Sequence, residues 1–164
     1  MILTVTLAIE LLALIAVANG APVLATRMLG DRWARPLDGG AMAWDGRPLF
    51  GRSKTLRGLV VSLAATLVVA LAFGFTWWFG LAFGAAAMAG DLFSSFVKRR
   101  LDIEASGQAL GLDQIPESLF PLLVCYGAFG LDPVAVGLLV VLFTVGQLVV
   151  SPLMYRLGLR RRPY

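Results

Sequence analysis

The chain of 164 residues contains no histidine and a single cysteine, Cys125. Without a second thiol no intrachain disulfide forms, and without histidine the usual zinc sites and imidazole bases are excluded. Chemistry on this chain must therefore use carboxylates, cations or a metal ion. Cations are also missing from particular places: none precedes the first apolar run, and none lies in "GFTWWFG" or "GLDP". No internal repeat or low-complexity tract is present. No stretch is polar enough to form a second domain.

Apolar residues dominate instead, at 59% of the chain with a mean hydropathy of +0.82, more than a soluble domain keeps in water. The expectation is an all-α integral membrane protein, a single domain over residues 1–164. The net charge of +4 does not imply a nucleic-acid partner, because the cations sit beside apolar runs rather than on a polar surface. The opening "MILTVTLAIELLALIAVANGAP" lacks a basic n-region and runs on too long for an ordinary signal-peptide core, so it is expected to be the first span despite a faint cleavage-like "VANGA".

A span needs about 20 residues at 1.5 Å each. Five are expected, at 2–29, 59–75, 76–97, 115–130 and 133–157, with polar loops at 30–58 and 98–114. The fourth has an apolar centre of only 118–129 and must be completed by flanking residues or sit in a thinned, protein-lined region. Glycine and the tryptophan pair of "GFTWWFG" mark the turn between the second and third. All lysines and arginines fall into three clusters, Arg27 to Arg57, Lys98 to Arg100 and Arg156 to Arg162. Five spans put all three on one side, which the positive-inside rule makes cytoplasmic, with the N-terminus outside; four or six spans would scatter them.

Polar chemistry gathers on that same side. The first loop ends "RPLDGGAMAWDGRPLFGRSKTLRG", with Asp38, Asp45, Arg47, Arg52, Lys54 and Arg57 among glycines that let backbone N–H groups approach a phosphate. The glycine spacing of a Walker A motif is absent. A basic juxtamembrane segment touching anionic headgroups would explain the cations but not Asp38 and Asp45. Carboxylates beside cations suit Mg²⁺ with a triphosphate.

The second stretch is "GDLFSSFVKRRLDIEASGQALGLDQ". Asp91 lies in an apolar run, where a bilayer-buried carboxylate costs about 2.5–3.5 kcal/mol on insertion scales. On a helix Asp91, Ser94 or Ser95, and Lys98 share one face. One reading pairs Asp91 with Lys98 at the interface; another makes Lys98, Arg99 and Arg100 an ordinary stop signal. A third joins Asp91 to Asp113, ahead of the next span, as ligands of Mg²⁺ whose other positions are filled by substrate phosphates. Glu10 has no polar partner at helical offsets and carries little functional weight. Asn19 and Pro22 mark a place where freed carbonyls need a donor, or simply a kink.

With "ANGAP", "RPLD", "DGRPLFGRSKTLRG", "GDLFSSFVKRR" and "LDQIPES" in this order over most of its length, the chain resembles the integral-membrane CDP-archaeol synthases. These are CTP-dependent lipid cytidylyltransferases distantly related to the phosphatidate cytidylyltransferases. The resemblance implies a five-helix fold with a cytoplasm-facing site for CTP, a lipid phosphate and Mg²⁺, in the plasma membrane. Lys54, Thr55 and Arg57 match the Lys-Thr-x-Arg-Gly motif, Asp91, Ser95, Lys98 and Arg99 the Gly-Asp-x₃-Ser-Phe-x-Lys-Arg motif, and Asp113 the Asp-Gln motif. It thus implies Asp91 and Asp113 as metal ligands and, with Lys98, as catalytic residues. Lys54, Thr55, Arg57, Ser95, Lys98, Arg99 and Asp38 would bind nucleotide and phosphate.

Leu56 stands where the family often has tryptophan, and "PES" where it often has acidic or aromatic residues, which leaves the acceptor open between archaeol-type and diacylglycerol phosphates. A small transporter and a non-catalytic membrane protein are the other classes compatible with the composition. Small residues in "GAAAMAG" would pack within the bundle or across a homodimer.

Overall fold

The computed structural model describes residues 3–104, 107 and 109–156. Its helices are α1 Val5–Leu29, α2 Leu56–Ala72, α3 Trp77–Arg100, α4 Gln114–Phe129 and α5 Pro133–Arg156. Among the described residues the only β structure is two isolated bridges. The start of the first expected span, the end of the fifth and the tail cations Arg160 to Arg162 lie outside the described residues.

Helices α1, α3 and α5 are long and apolar enough to cross a membrane. The other two, with 17 and 16 residues, reach about 25 Å, short of a roughly 30 Å hydrocarbon layer. Several boundaries differ from the sequence expectation by one to three residues, and two of these have a clear local cause. Helix α2 starts at Leu56 rather than 59, because the Thr55 hydroxyl accepts from the Gly58 N–H at 3.1 Å and caps it. Helix α3 runs on to Arg100 rather than 97, since lysine and arginine are good helix formers and complement the negative end of the helix dipole.

Helices adjacent in the chain pack on one another, and α1 also touches α3, α4 and α5. Leu11, Leu14 and Ile15 of α1 meet Phe79 and Phe83 of α3, Leu122 and Cys125 of α4, and Leu139 of α5 in the shared core. Small residues of α3 allow its neighbours close: Gly80 and Gly84 face Ala70 and Thr66 of α2, while Gly90 lies against the Pro116–Glu117 backbone of α4. Within "GAAAMAG", Gly84, Ala87, Met88 and Gly90 are therefore buried inside the bundle, and Ala85 and Ala89 remain exposed.

Pro22 is accommodated without breaking α1. It has no N–H to give the Ala18 carbonyl, and the Ser62 hydroxyl of α2 donates there instead at 2.7 Å. The Asn19 side-chain amide donates to the Ile15 carbonyl at 3.1 Å.

The loop between α1 and α2 is ordered by its own backbone. Its outgoing and returning ends pair, Leu37 N–H to the Lys54 carbonyl at 2.8 Å and Leu56 N–H to the Arg35 carbonyl at 3.0 Å. An inner hairpin turns at Asp45-Gly46, where Gly46 adopts the positive φ of 72° that such a turn demands. The hairpin docks on the C-terminal end of α3: Arg47 donates to the carbonyls of Arg99 (3.2 Å) and Arg100 (2.7 Å), and Arg100 donates back to the Pro48 carbonyl at 2.7 Å. Arg100 also lies over the rings of Trp44 and Phe96.

Candidate active site

The docked loop delivers Lys54 to α3, where its ammonium donates to both Asp91 oxygens at 2.5 and 2.6 Å. A second ion pair lies on the same helix. Lys98 meets Asp113, at the head of α4, at 2.6 Å, and also donates to the Gly107 carbonyl at 3.2 Å. The within-helix pair of Asp91 with Lys98 considered from the sequence is thus replaced by two pairs between segments distant in sequence. Burial works against the Lys54 charge, but Asp91 and Glu117 outweigh it and hold the ammonium above the ordinary lysine range.

Glu117 is the member that the sequence reading missed. It lies one turn into α4, is 9% exposed, and its carboxyl is in hydrogen-bond contact with that of Asp91. The signal that singled out Asp91, an acid inside an apolar run, also applied to "PESLFPLL", but no cation nearby in sequence drew attention to it. The local cause of the contact is Gly90, whose missing side chain lets the α4 backbone press against α3 one residue before Asp91.

The remaining predicted residues divide into two groups. Ser95 and Arg99 lie on α3 close to the ion pairs in sequence; Ser95 is only 3% exposed, and among the described residues its hydroxyl makes no hydrogen bond. The Arg99 Nε is buried and unpaired. Both therefore retain hydrogen-bonding capacity. Arg57, Thr55 and Asp38, by contrast, are already engaged by the protein. The Arg57 guanidinium donates to the carbonyls of Gly30 (2.9 Å) and Arg32 (2.5 Å) and to the Thr26 hydroxyl (3.2 Å), tying the end of α1 to α2. Thr55 caps α2.

Asp38 accepts from the N–H groups of Gly40 and Phe50 at 3.0 Å and Gly51 at 3.3 Å. Partial burial works to raise its pKa, but these donors prevail and hold it below the usual carboxylate value. These three residues shape the loop that presents Lys54. Asp113 is likewise engaged on both oxygens, one by Lys98 and the other by the Ala109 N–H at 3.1 Å.

The geometry is that of a buried, charged site at one end of an apolar bundle, and the whole chain carries the corresponding family signature. A family model for CarS-like CDP-archaeol synthase matches residues 2–164. The chain belongs to the CDP-archaeol synthase family. A CDP-archaeol synthase of Methanopyrus kandleri is 37% identical over 139 residues, covering 79% of this chain and 80% of the relative. One of Thermococcus onnurineus is 35% identical over 161 residues, covering 90% and 89%. A solved intramembrane enzyme for archaeal membrane lipids biosynthesis superposes with a TM-score of 0.75 at 32% identity, covering 90% of this chain and 94% of the other. The five-helix membrane architecture is therefore that of a synthase family, and the chain is an enzyme of that class.

The carboxylate oxygens of this candidate site are of the kind that Mg²⁺ takes as ligands. The ion takes oxygen ligands and is commonly held by one or two carboxylates, with substrate phosphates and water completing its shell. Here three carboxyl groups, Asp91, Asp113 and Glu117, face two ammonium groups, Lys54 and Lys98. Among the described residues no group of three or more His, Cys, Asp or Glu side chains is placed to hold a metal ion, so Asp91 and Asp113 could supply only part of the shell of such an ion.

Proposed function

We propose that the chain transfers CMP from CTP to a phosphorylated archaeol-type lipid, giving a CDP-lipid and pyrophosphate. The observation that carries this reading is the convergence of Lys54–Asp91 and Lys98–Asp113 at one end of the bundle, in a member of the CDP-archaeol synthase family.

A lipid phosphate monoester, with a second pKa of about 6, is largely dianionic at neutral pH and needs no protein base. One of its oxygens bonds to the α-phosphorus of CTP, the bond from that phosphorus to the β-phosphate oxygen breaks, and pyrophosphate leaves with the electron pair. The protein's task is to align two polyanions and offset their repulsion. Lys54, Lys98 and Arg99 supply positive charge, and Ser95 a hydroxyl donor. Arg57, Thr55 and Asp38 hold the loop that carries Lys54. Mg²⁺ on Asp91 and Asp113 would neutralise phosphate charge and polarise the reacting phosphorus.

The three cation clusters favour a multi-pass protein of the plasma membrane with this site facing the cytoplasm. The apolar grooves between helices would take the lipid chains.

The test is an acceptor panel. Purified protein in liposomes receives Mg²⁺, labelled CTP and either archaeol-type phosphate or phosphatidic acid, and lipid-phase label is counted. Preferential labelling of the archaeol-type lipid is expected. Preference for phosphatidic acid reassigns the acceptor, and no CTP binding at all overturns the enzyme reading.

A further inference from the structure

Lys98, Arg99 and Arg100 follow one another in sequence but meet different surroundings. Lys98 pairs with Asp113 and Arg99 keeps a buried, unpaired Nε, while Arg100 is taken up by the hairpin of the first loop. Its Nη2 donates to the carbonyls of Arg47 (3.2 Å) and Pro48 (2.7 Å), and its Nε forms an ion pair with Asp45 at 2.9 Å. Arg47 reciprocates, its Nη1 donating to the Arg99 and Arg100 carbonyls in the last turn of α3, at the negative end of the helix dipole. Each arginine thus donates to the backbone that carries the other. An edge turned to carbonyl oxygens is not at the same time offered to a phosphate.

Such a clamp would stabilise any surface loop, but this loop has a second attachment to the same helix. Lys54 reaches Asp91 on α3, about 13 Å from Arg100 at 1.5 Å per residue. Hydrogen bonds connect the two attachments. The Leu49 N–H donates to the Ala41 carbonyl at 3.0 Å and closes the hairpin, and Asp38 gathers the N–H groups of Phe50 and Gly51. The Lys54 N–H then donates to the Gly51 carbonyl at 3.2 Å, and the Lys54 carbonyl accepts from Leu37 at 2.8 Å. The backbone of the lysine is therefore tied to the hairpin, and the hairpin to α3. A phosphate that recruits the Lys54 ammonium competes with Asp91 for it; of the two attachments, the arginine clamp is the one that remains.

We infer that Arg47 and Arg100 are positioning residues for the transfer reaction, holding the loop on α3 so that Lys54 stays beside Asp91 while its ammonium passes from carboxylate to the CTP triphosphate. This rests on the reading of Lys54 as a phosphate-binding residue and adds the pair that places it. Their contribution is geometric. A planar fork reaches two carbonyls at once, which a lysine ammonium on a flexible stem does not reproduce although it keeps the charge.

The experiment measures binding of labelled CTP with Mg²⁺ to the full chain in detergent, for wild type, Arg100→Lys, Arg47→Lys, Lys54→Met and each arginine variant combined with Lys54→Met. Thermal melts, amide exchange at Ala43 and Leu49, and kcat and KM for CTP of the single arginine variants are recorded beside it. The inference predicts faster exchange at both amides and CTP binding weakened roughly tenfold in each arginine variant, with KM raised more than kcat is lowered. It also predicts no further loss from either arginine change once Lys54 is methionine, because both act through that residue. CTP affinity within about twofold of wild type in both arginine variants overturns the inference and leaves the CTP site standing. Equal losses with and without Lys54 also overturn it, since they mark a direct or purely structural role. Should Arg100→Lys fail to fold, the Arg47→Lys set makes the same comparison. Wild type that binds no CTP overturns the reading on which the inference rests.

Discussion

Lys54 and Asp91 meet across two segments that are 37 positions apart in the chain, and each satisfies the charge of the other. Removing one partner of such a buried pair leaves an uncompensated charge, at about 3–5 kcal/mol. Lys54→Met is therefore expected to lower stability in detergent by about 3 kcal/mol and to abolish turnover. Lys54→Arg should recover little activity, because a planar fork replaces a compact ammonium. Asp38 behaves differently. Its folded-state pKa is depressed, so its contribution to loop stability is fully present above the unfolded carboxylate pKa of about 3.9 and is lost as acid protonates it below that value. Asp38→Asn should speed amide exchange at Phe50 and Gly51 at neutral pH without changing exchange in the helices. At this scale the sequence was partly legible. Lys54, Asp91, Lys98 and Asp113 stood out as charges beside apolar runs, but which acid meets which cation depends on the docking of a loop that no periodicity reveals. Glu117 was missed for the same reason: its partners come from α3 and the loop.

Helix α3 presents small residues where its neighbours come closest, and Gly90 is the most constrained of them. A Cβ there would overlap the Pro116 carbonyl and press on the Glu117 backbone nitrogen, neither of which can rotate aside. Gly90→Ala is expected to lose at least about 2 kcal/mol and to misplace Asp91 against Glu117. Gly127→Ala, in α4 with nothing within 4 Å of the added carbon, should be neutral or stabilising by up to about 1 kcal/mol. Parallel thermal melts check the contrast, and equal effects at the two positions would remove the argument for close packing at Gly90. Helix number and order were readable from apolar runs because lipid enforces long uninterrupted helices. The ends were less so. Thr55 starts α2 early through a side-chain cap, and α3 carries its cations as a continuing helix, features set by hydrogen bonds and charge rather than hydropathy. The need of Pro22 for an outside donor was visible in the sequence; that Ser62 meets it was not.

The bundle places its charged machinery at one end and an aromatic cluster of Phe75, Phe79 and Phe129 toward the other. Positive charge at the site end predicts a cytoplasmic orientation for it. The sole native cysteine, Cys125, is buried and gives a silent background. Arg52→Cys in the exposed loop should then react with an impermeant thiol reagent only in inside-out vesicles, and Asp132→Cys only in right-side-out ones; the reverse pattern would invert the topology. The central claim is that this end of the molecule moves a cytidylyl group. Its most direct test supplies CTP labelled at either the α- or the γ-phosphate to wild type and Asp91→Asn with a lipid phosphate and Mg²⁺. The account predicts α-label in the lipid and γ-label in pyrophosphate for wild type, and at least a hundredfold loss of both in a still-folded variant. Label from the γ-position in the lipid, or undiminished transfer by Asp91→Asn, would contradict it.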